Sequence, residues 1–132
     1  MYSSSFRLTN RDIDLAFDAG HLFLVYQPKL SLAEGGVLGA EAYVRWSHPD
    51  YGLLPPGLFL SFFEQRERAG ELTRFVARAA ADLLVDWAAT ADRHWPISIN
   101  LGASDLADMG LPGALDEIMG ERGLDPALLM LE

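Results

Sequence analysis

The stretch Leu38-Gly39-Ala40-Glu41-Ala42-Tyr43-Val44-Arg45-Trp46 decides the reading of this chain. It is apolar enough for a strand, yet it carries a carboxylate and a guanidinium four residues apart. Neither charge enters a buried strand without a partner. Side chains alternate along a strand, so Glu41, Tyr43 and Arg45 share one face. Two readings stay open. That face is a site for an anionic ligand and a cation, or Glu41 and Arg45 form a simple ion pair that holds the strand in register.

Upstream, Leu22 to Leu30 is a second β-rich run, joined to residues 37–46 through Ala33-Glu34-Gly35-Gly36, whose glycines supply the positive φ of a tight turn. The pair predicts a hairpin. Before it, Thr9 and Asp12 have capping-box spacing, Leu8 and Ile13 form its hydrophobic staple and Gly20 is a stop, which predicts a helix over residues 10–19. Downstream, His48-Pro49-Asp50-Tyr51-Gly52-Leu53-Leu54-Pro55-Pro56-Gly57 reads as a compact loop packed over the site-bearing strand.

From Leu58 the pattern turns helical. Leu72, Phe75/Val76, Ala79/Ala80, Leu83/Leu84, Trp87/Ala88 and Ala91 recur every three to four residues as a core stripe. A short strand follows at residues 96–101, then a helix at 112–122 with Pro112 in its first turn and Gly123 beyond its end. A third strand closes the series at 128–132. Strand, helices, strand, helix, strand is an α/β order with parallel strands and right-handed crossovers.

The chain has 132 residues, half of them hydrophobic, which is one domain's worth of core. Ten basic against nineteen acidic residues give a net charge of −9, which opposes nucleic-acid backbones and anionic membranes. The absence of cysteine removes thiolate zinc sites and cysteine nucleophiles. The start resembles no signal peptide, and no run approaches the roughly 20 apolar residues of a membrane span. The expectation is a soluble, cytoplasmic protein.

Glu41, Asn100 and Glu132 fall on the three strands expected to run parallel, the last two at strand ends, where active sites of α/β barrels assemble. Two carboxylates and a carboxamide are hard ligands suited to magnesium, manganese or calcium rather than zinc. Taken singly, Asn100 also reads as a turn cap and Glu132 as a solvated chain end. His21, His48 and His94 lie beside turns and share no helical face with an acid, so they are poor ligands. No phosphate-binding glycine loop is present. Glu64-Gln65-Arg66-Glu67-Arg68 reads as a solvated helix end.

These residues resemble the EAL-domain family of bacterial cyclic di-GMP phosphodiesterases. The resemblance is carried by Tyr26-Gln27-Pro28-Lys29, Gly39-Ala40-Glu41-Ala42-Tyr43-Val44-Arg45-Trp46, His48-Pro49 and Gly52-Leu53-Leu54-Pro55-Pro56-Gly57-Leu58-Phe59. Trp87, Ile99-Asn100-Leu101, Gly123-Leu124-Asp125-Pro126 and Leu129-Met130-Leu131-Glu132 continue it in order. The fold implied is a modified TIM barrel whose first strand runs antiparallel to the rest. The resemblance makes Glu41, Asn100 and Glu132 metal ligands. It makes Gln27, Arg45, Pro56 and the substituted Tyr43 substrate contacts. Two divalent metals, magnesium or manganese with calcium inhibitory, would activate water for in-line attack on one phosphodiester, giving linear pGpG.

The departures are specific. The signature leucine is Tyr43, the family's serine after the asparagine is Gly102, and its following glutamine is Asp105. A full eight-stranded barrel takes roughly 250 residues, whereas residues 9–132 match only the N-terminal half, behind a tail at 1–8. The downstream aspartates and catalytic lysine have no counterpart, and Lys29, the chain's one lysine, sits in the wrong segment. The expectation is an incomplete EAL barrel, inactive alone, acting in cyclic di-GMP signalling through a homodimer or protein partner. A fragment of an active phosphodiesterase and a binding-only receptor are the alternatives.

Overall fold

The computed structural model describes residues 6–132, so Ser3, Ser4 and Ser5 of the expected tail lie outside the described residues. Helix α1 (Asn10–Asp18) opens on the capping box: Asp12 N–H donates to the Thr9 hydroxyl at 3.3 Å and Thr9 N–H donates to the Asp12 carboxylate at 2.7 Å. Leu8 and Ile13 are both buried in one cluster, the arrangement a staple requires.

Strands β1 (Leu22–Leu30) and β2 (Val37–His48) form the expected antiparallel hairpin, with Gln27 opposite Glu41, Val25 opposite Tyr43 and Phe23 opposite Arg45. Gly35, at φ +72°, turns the chain, and Ser31 closes the loop through hydrogen bonds with Gly35 and Gly36.

The segment expected to be an irregular loop instead contains a strand, β3 (Gly52–Leu54), which pairs antiparallel with the end of β2. Three residues are too few to show a period. The turn is made by His48, whose Nδ1 accepts from the Asp50 and Tyr51 amides at 3.0 and 3.4 Å. Helix α2 (Pro56–Gln65) and the long α3 (Ala69–Thr90) are separated by a break at Glu67, which takes a positive φ of 57°. The core stripe of α3 is largely as expected, with Leu72, Val76, Ala80 and Leu84 buried, although its last member, Ala91, is exposed.

Strand β4 (Ile97–Ile99) runs parallel to β2, and β5 (Leu129–Leu131) runs parallel to β4. Between them come a one-turn helix α4 (Ala103–Leu106), absent from the sequence expectation, and α5 (Leu111–Glu121). Helix α4 is set locally by Asp105, which accepts from the Gly102 amide at 2.8 Å. The sheet order is β1-β2-β4-β5, with β3 attached to β2, so β1 and β5 are its edges and the barrel is not closed.

Helices α3 and α5 pack on one sheet face around Ile97, Ile99 and Ala42. A second cluster, centred on Trp46, Phe59 and Phe63, fills the corner beneath α1 and α2. The alternation that buries these residues turns Lys29, Glu41 and Ser98 to the other face. At its rim Phe23, Val25 and Met130 are 43%, 37% and 49% exposed. The joint between β2 and β4 is close: a Cβ on Gly39 would stand 2.5 Å from the Pro96 carbonyl oxygen, which accepts from the Ala40 amide at 3.0 Å.

Candidate functional site

Parallel pairing of β2 with β4 sets Glu41 beside Ser98, and therefore close to Asn100 one strand step further on. The Asn100 amide donates to Glu41 Oε2 at 3.2 Å. The Tyr43 phenol lies on the same strand face as Glu41. Its pKa is raised above the usual tyrosine value first by a hydrogen bond with Glu41, then by burial and by the charges of Glu41 and Glu132, against the opposing charge of Arg45.

The alternative reading of Glu41 and Arg45 as a register-holding ion pair does not hold: no such pair forms among the described residues. Arg45 instead donates to the Val44 carbonyl at 3.2 Å, and its guanidinium lies 5.9 Å from the centre of the Tyr43 ring. Among the described residues no cation pairs with Glu41, whose carboxylate accepts from the neutral Asn100 amide.

Glu132 is brought to the same face by the extension of the β4–β5 ladder. Its amide donates to the Ile99 carbonyl at 3.0 Å, and its carbonyl accepts from Leu101 at 2.8 Å. Its side chain meets Lys29, whose ammonium lies 2.7 Å from Oε1 and donates to the Ser98 hydroxyl at 2.8 Å. The pKa of Glu132 is lowered, first by the Lys29 hydrogen bond and then by Ser98, with burial opposing. Lys29 was not singled out from sequence for any role at these carboxylates. The signal was its place two residues after Gln27, hence on the same strand face.

A cavity of about 660 Å³ lies beside these groups, lined by Tyr43, Arg45, Pro56, Glu64, Asn100 and Gly102 among others. Pro56 is the first residue of α2, where its missing amide hydrogen costs nothing. Gln27 is exposed on β1 opposite Glu41 and does not line the cavity. The structure thus brings Tyr43, Arg45, Pro56 and Asn100 together around one space. Glu41 joins them through Asn100, and Gln27 lies one strand away.

The segment read as a solvated helix end does more than that reading allowed. Glu64 accepts from the Ser104 hydroxyl at 2.9 Å at the cavity wall, and a Cβ on Gly102 would come within 2.8 Å of its Oε1. Arg68 bonds Asp14 and Glu71, each at 2.7 Å, and so ties α1 to α3. These partners are distant in sequence or lie on the next helix, so local charge pattern could not reveal them. His48 is buried and fully used, its Nε2 lying 2.8 Å from Asp12. Among the described residues no three His, Asp or Glu side chains converge as a metal cluster, and no helix is long and apolar enough to cross a membrane.

The family model for the EAL domain matches residues 10–132. An uncharacterized protein of Mycobacterium tuberculosis is 38% identical over 119 residues, covering 89% of this chain and 39% of that relative. The bifunctional diguanylate cyclase/cyclic di-GMP phosphodiesterase MucR of Pseudomonas aeruginosa is 32% identical over 121 residues, covering 92% of this chain and 18% of that protein. The solved structure of the MucR phosphodiesterase in complex with c-di-GMP superposes with a TM-score of 0.83 at 32% identity, over 92% of this chain and 49% of that one. The FimX EAL domain of Pseudomonas aeruginosa, bound to c-di-GMP, shares the fold with a TM-score of 0.79 at 23% identity, over 92% of this chain and 48% of that one. The chain spans less than half the length of each of these relatives. With its antiparallel first strand, open mixed sheet and match from residue 10 to residue 132, this chain belongs to the EAL domain family.

Proposed function

We propose that the chain carries the N-terminal half of a cyclic di-GMP site, with Arg45, Tyr43 and Pro56 as ligand contacts and Gln27 at its margin. Glu41, Asn100 and Glu132 are its donors to a divalent cation. The observation that carries this reading is that Tyr43, Arg45, Pro56 and Asn100 line one cavity while Asn100 is bonded to Glu41. The donor set is all oxygen, two carboxylates and one carboxamide, which fits magnesium or manganese. When bound, such ions would offset charge developing on a phosphodiester and lower the pKa of an attacking water.

The chain's own residues supply binding and orientation. Arg45 is the cation at the cavity wall and is left without an ion-pair partner among the described residues, so it can meet a phosphate. Asn100 holds the Glu41 carboxylate by a hydrogen bond from its amide. Tyr43 takes up the place of an apolar signature residue and adds a donor there.

By themselves these 132 residues do not hydrolyse the dinucleotide and bind it weakly. The chain has no lysine other than Lys29, which is engaged with Glu132, to supply the family's catalytic one. The reading assigns it a role in cyclic di-GMP signalling in the cytoplasm, exercised through a second copy or another protein. The test is incubation of the purified chain with cyclic di-GMP and manganese, with products separated chromatographically and oligomeric state measured by light scattering. No linear product from an associated species is expected. Turnover that Glu41→Gln removes would make the chain an enzyme by itself.

A further inference from the structure

Lys29 lies among the residues just read as cation donors, although it is itself a cation. It stands on β1 opposite Gly39, a position where the neighbouring strand offers no side chain to block its reach across the sheet. Its stem crosses β2 to the β4 and β5 ends. There the ammonium meets Glu132 Oε1 at 2.7 Å and the buried Ser98 hydroxyl at 2.8 Å, residues 103 and 69 positions away in sequence. A compact ammonium with two oxygen partners satisfies the carboxylate much as a bound ion would.

We propose that Lys29 is a tethered cation that occupies Glu132 and competes with a divalent metal for it. The proposal rests on the reading of Glu41, Asn100 and Glu132 as metal donors. Lys29 does not touch a reacting atom. It acts through Glu132 and sets how readily that carboxylate is given up. The Lys29 and Glu132 side chains are 38% and 41% exposed, so the flexible stem can swing into water and release the carboxylate. Ser98 is 2% exposed and cannot leave, so it marks where the ammonium returns. A metal arriving at Glu41 and Asn100 alone lacks the second carboxylate, and only displacement of Lys29 completes the donor set.

The competition has a defined size. An ion pair this exposed is worth little in water, which translates to roughly a two- to fivefold change in apparent metal affinity. The same exposure makes the effect salt-dependent, because screening weakens the ion pair that restrains Glu132.

The test is isothermal titration of the chain with manganese chloride, comparing wild type, Lys29→Met, Lys29→Arg and Glu41→Gln, with folding checked by circular dichroism. Lys29→Met is expected to bind about two- to fivefold more tightly than wild type, the gap closing as sodium chloride is raised, while Lys29→Arg stays at the wild-type value. Equal affinity of wild type and Lys29→Met, with binding still lost in Glu41→Gln, overturns the competition and leaves the metal reading standing. Binding that ignores Glu41→Gln, or no binding by any variant, overturns both.

Discussion

Asn100 donates its side-chain amide to Glu41 Oε2 at 3.2 Å, a bond between residues 59 positions apart that joins the end of β4 to β2. It can form only because the two strands run parallel in a register that sets Glu41 against Ser98. The bond aims a carboxylate that has no cationic partner of its own. Asn100→Ala is therefore expected to weaken manganese binding about tenfold. Because the bond is exposed, the unfolding midpoint should move by no more than about 2 °C. Titration calorimetry and a thermal melt on the same sample check both halves. A large fall in midpoint would make Asn100 a structural residue instead.

The register itself depends on Gly39. A methyl group there would sit 2.5 Å from the Pro96 backbone oxygen, a distance that only a shift of β2 away from β4 can relieve. Backbone cannot swing aside as a side chain can. Gly39→Ala should cost about 2–3 kcal/mol in urea unfolding. Metal binding should fall as well, because Glu41 and Asn100 separate. A Gly39→Ala variant as stable as wild type would show the joint to be looser than this.

Acid should loosen the corner under α1. Burial raises the Asp12 pKa, but the His48 hydrogen bond and the Thr9 amide and hydroxyl outweigh it, leaving the carboxyl below its ordinary value. The folded state thus holds the proton less readily than the unfolded chain. The resulting stability is present above about pH 4 and is lost as pH falls through the depressed folded pKa. Asp12→Asn is expected to cost about 1 kcal/mol at pH 7 and to flatten the decline of stability below pH 4. Urea midpoints measured from pH 3 to pH 7 test this, and parallel curves for the two proteins would contradict it.

Much of this was legible before any coordinates. The capping box at Thr9 and Asp12, the Gly35 turn and the α3 stripe are local patterns, and each forms where its spacing indicates. What escaped was short or long-range. Strand β3 and helix α4 have three and four residues, too few for a strand or helix period to recur. Lys29 with Glu132, Arg68 with Asp14 and Glu64 with Ser104 are contacts made by the topology, and their residues carry no mark of one another in the sequence. Glu41 and Arg45 show the reverse error. Their spacing suggested a pair, but Arg45 turns to Val44 and the Tyr43 ring.

The central claim is that Glu41, Asn100 and Glu132 act together on one cation. Manganese-induced broadening of backbone amide resonances in the isotopically labelled chain tests it most directly, since the paramagnetic ion marks whatever it approaches. The account predicts early, selective loss of the signals around residues 41, 100 and 132, with the acidic stretch at 116–121 unaffected. Loss confined to that acidic stretch, with the three strand positions unchanged, would contradict it.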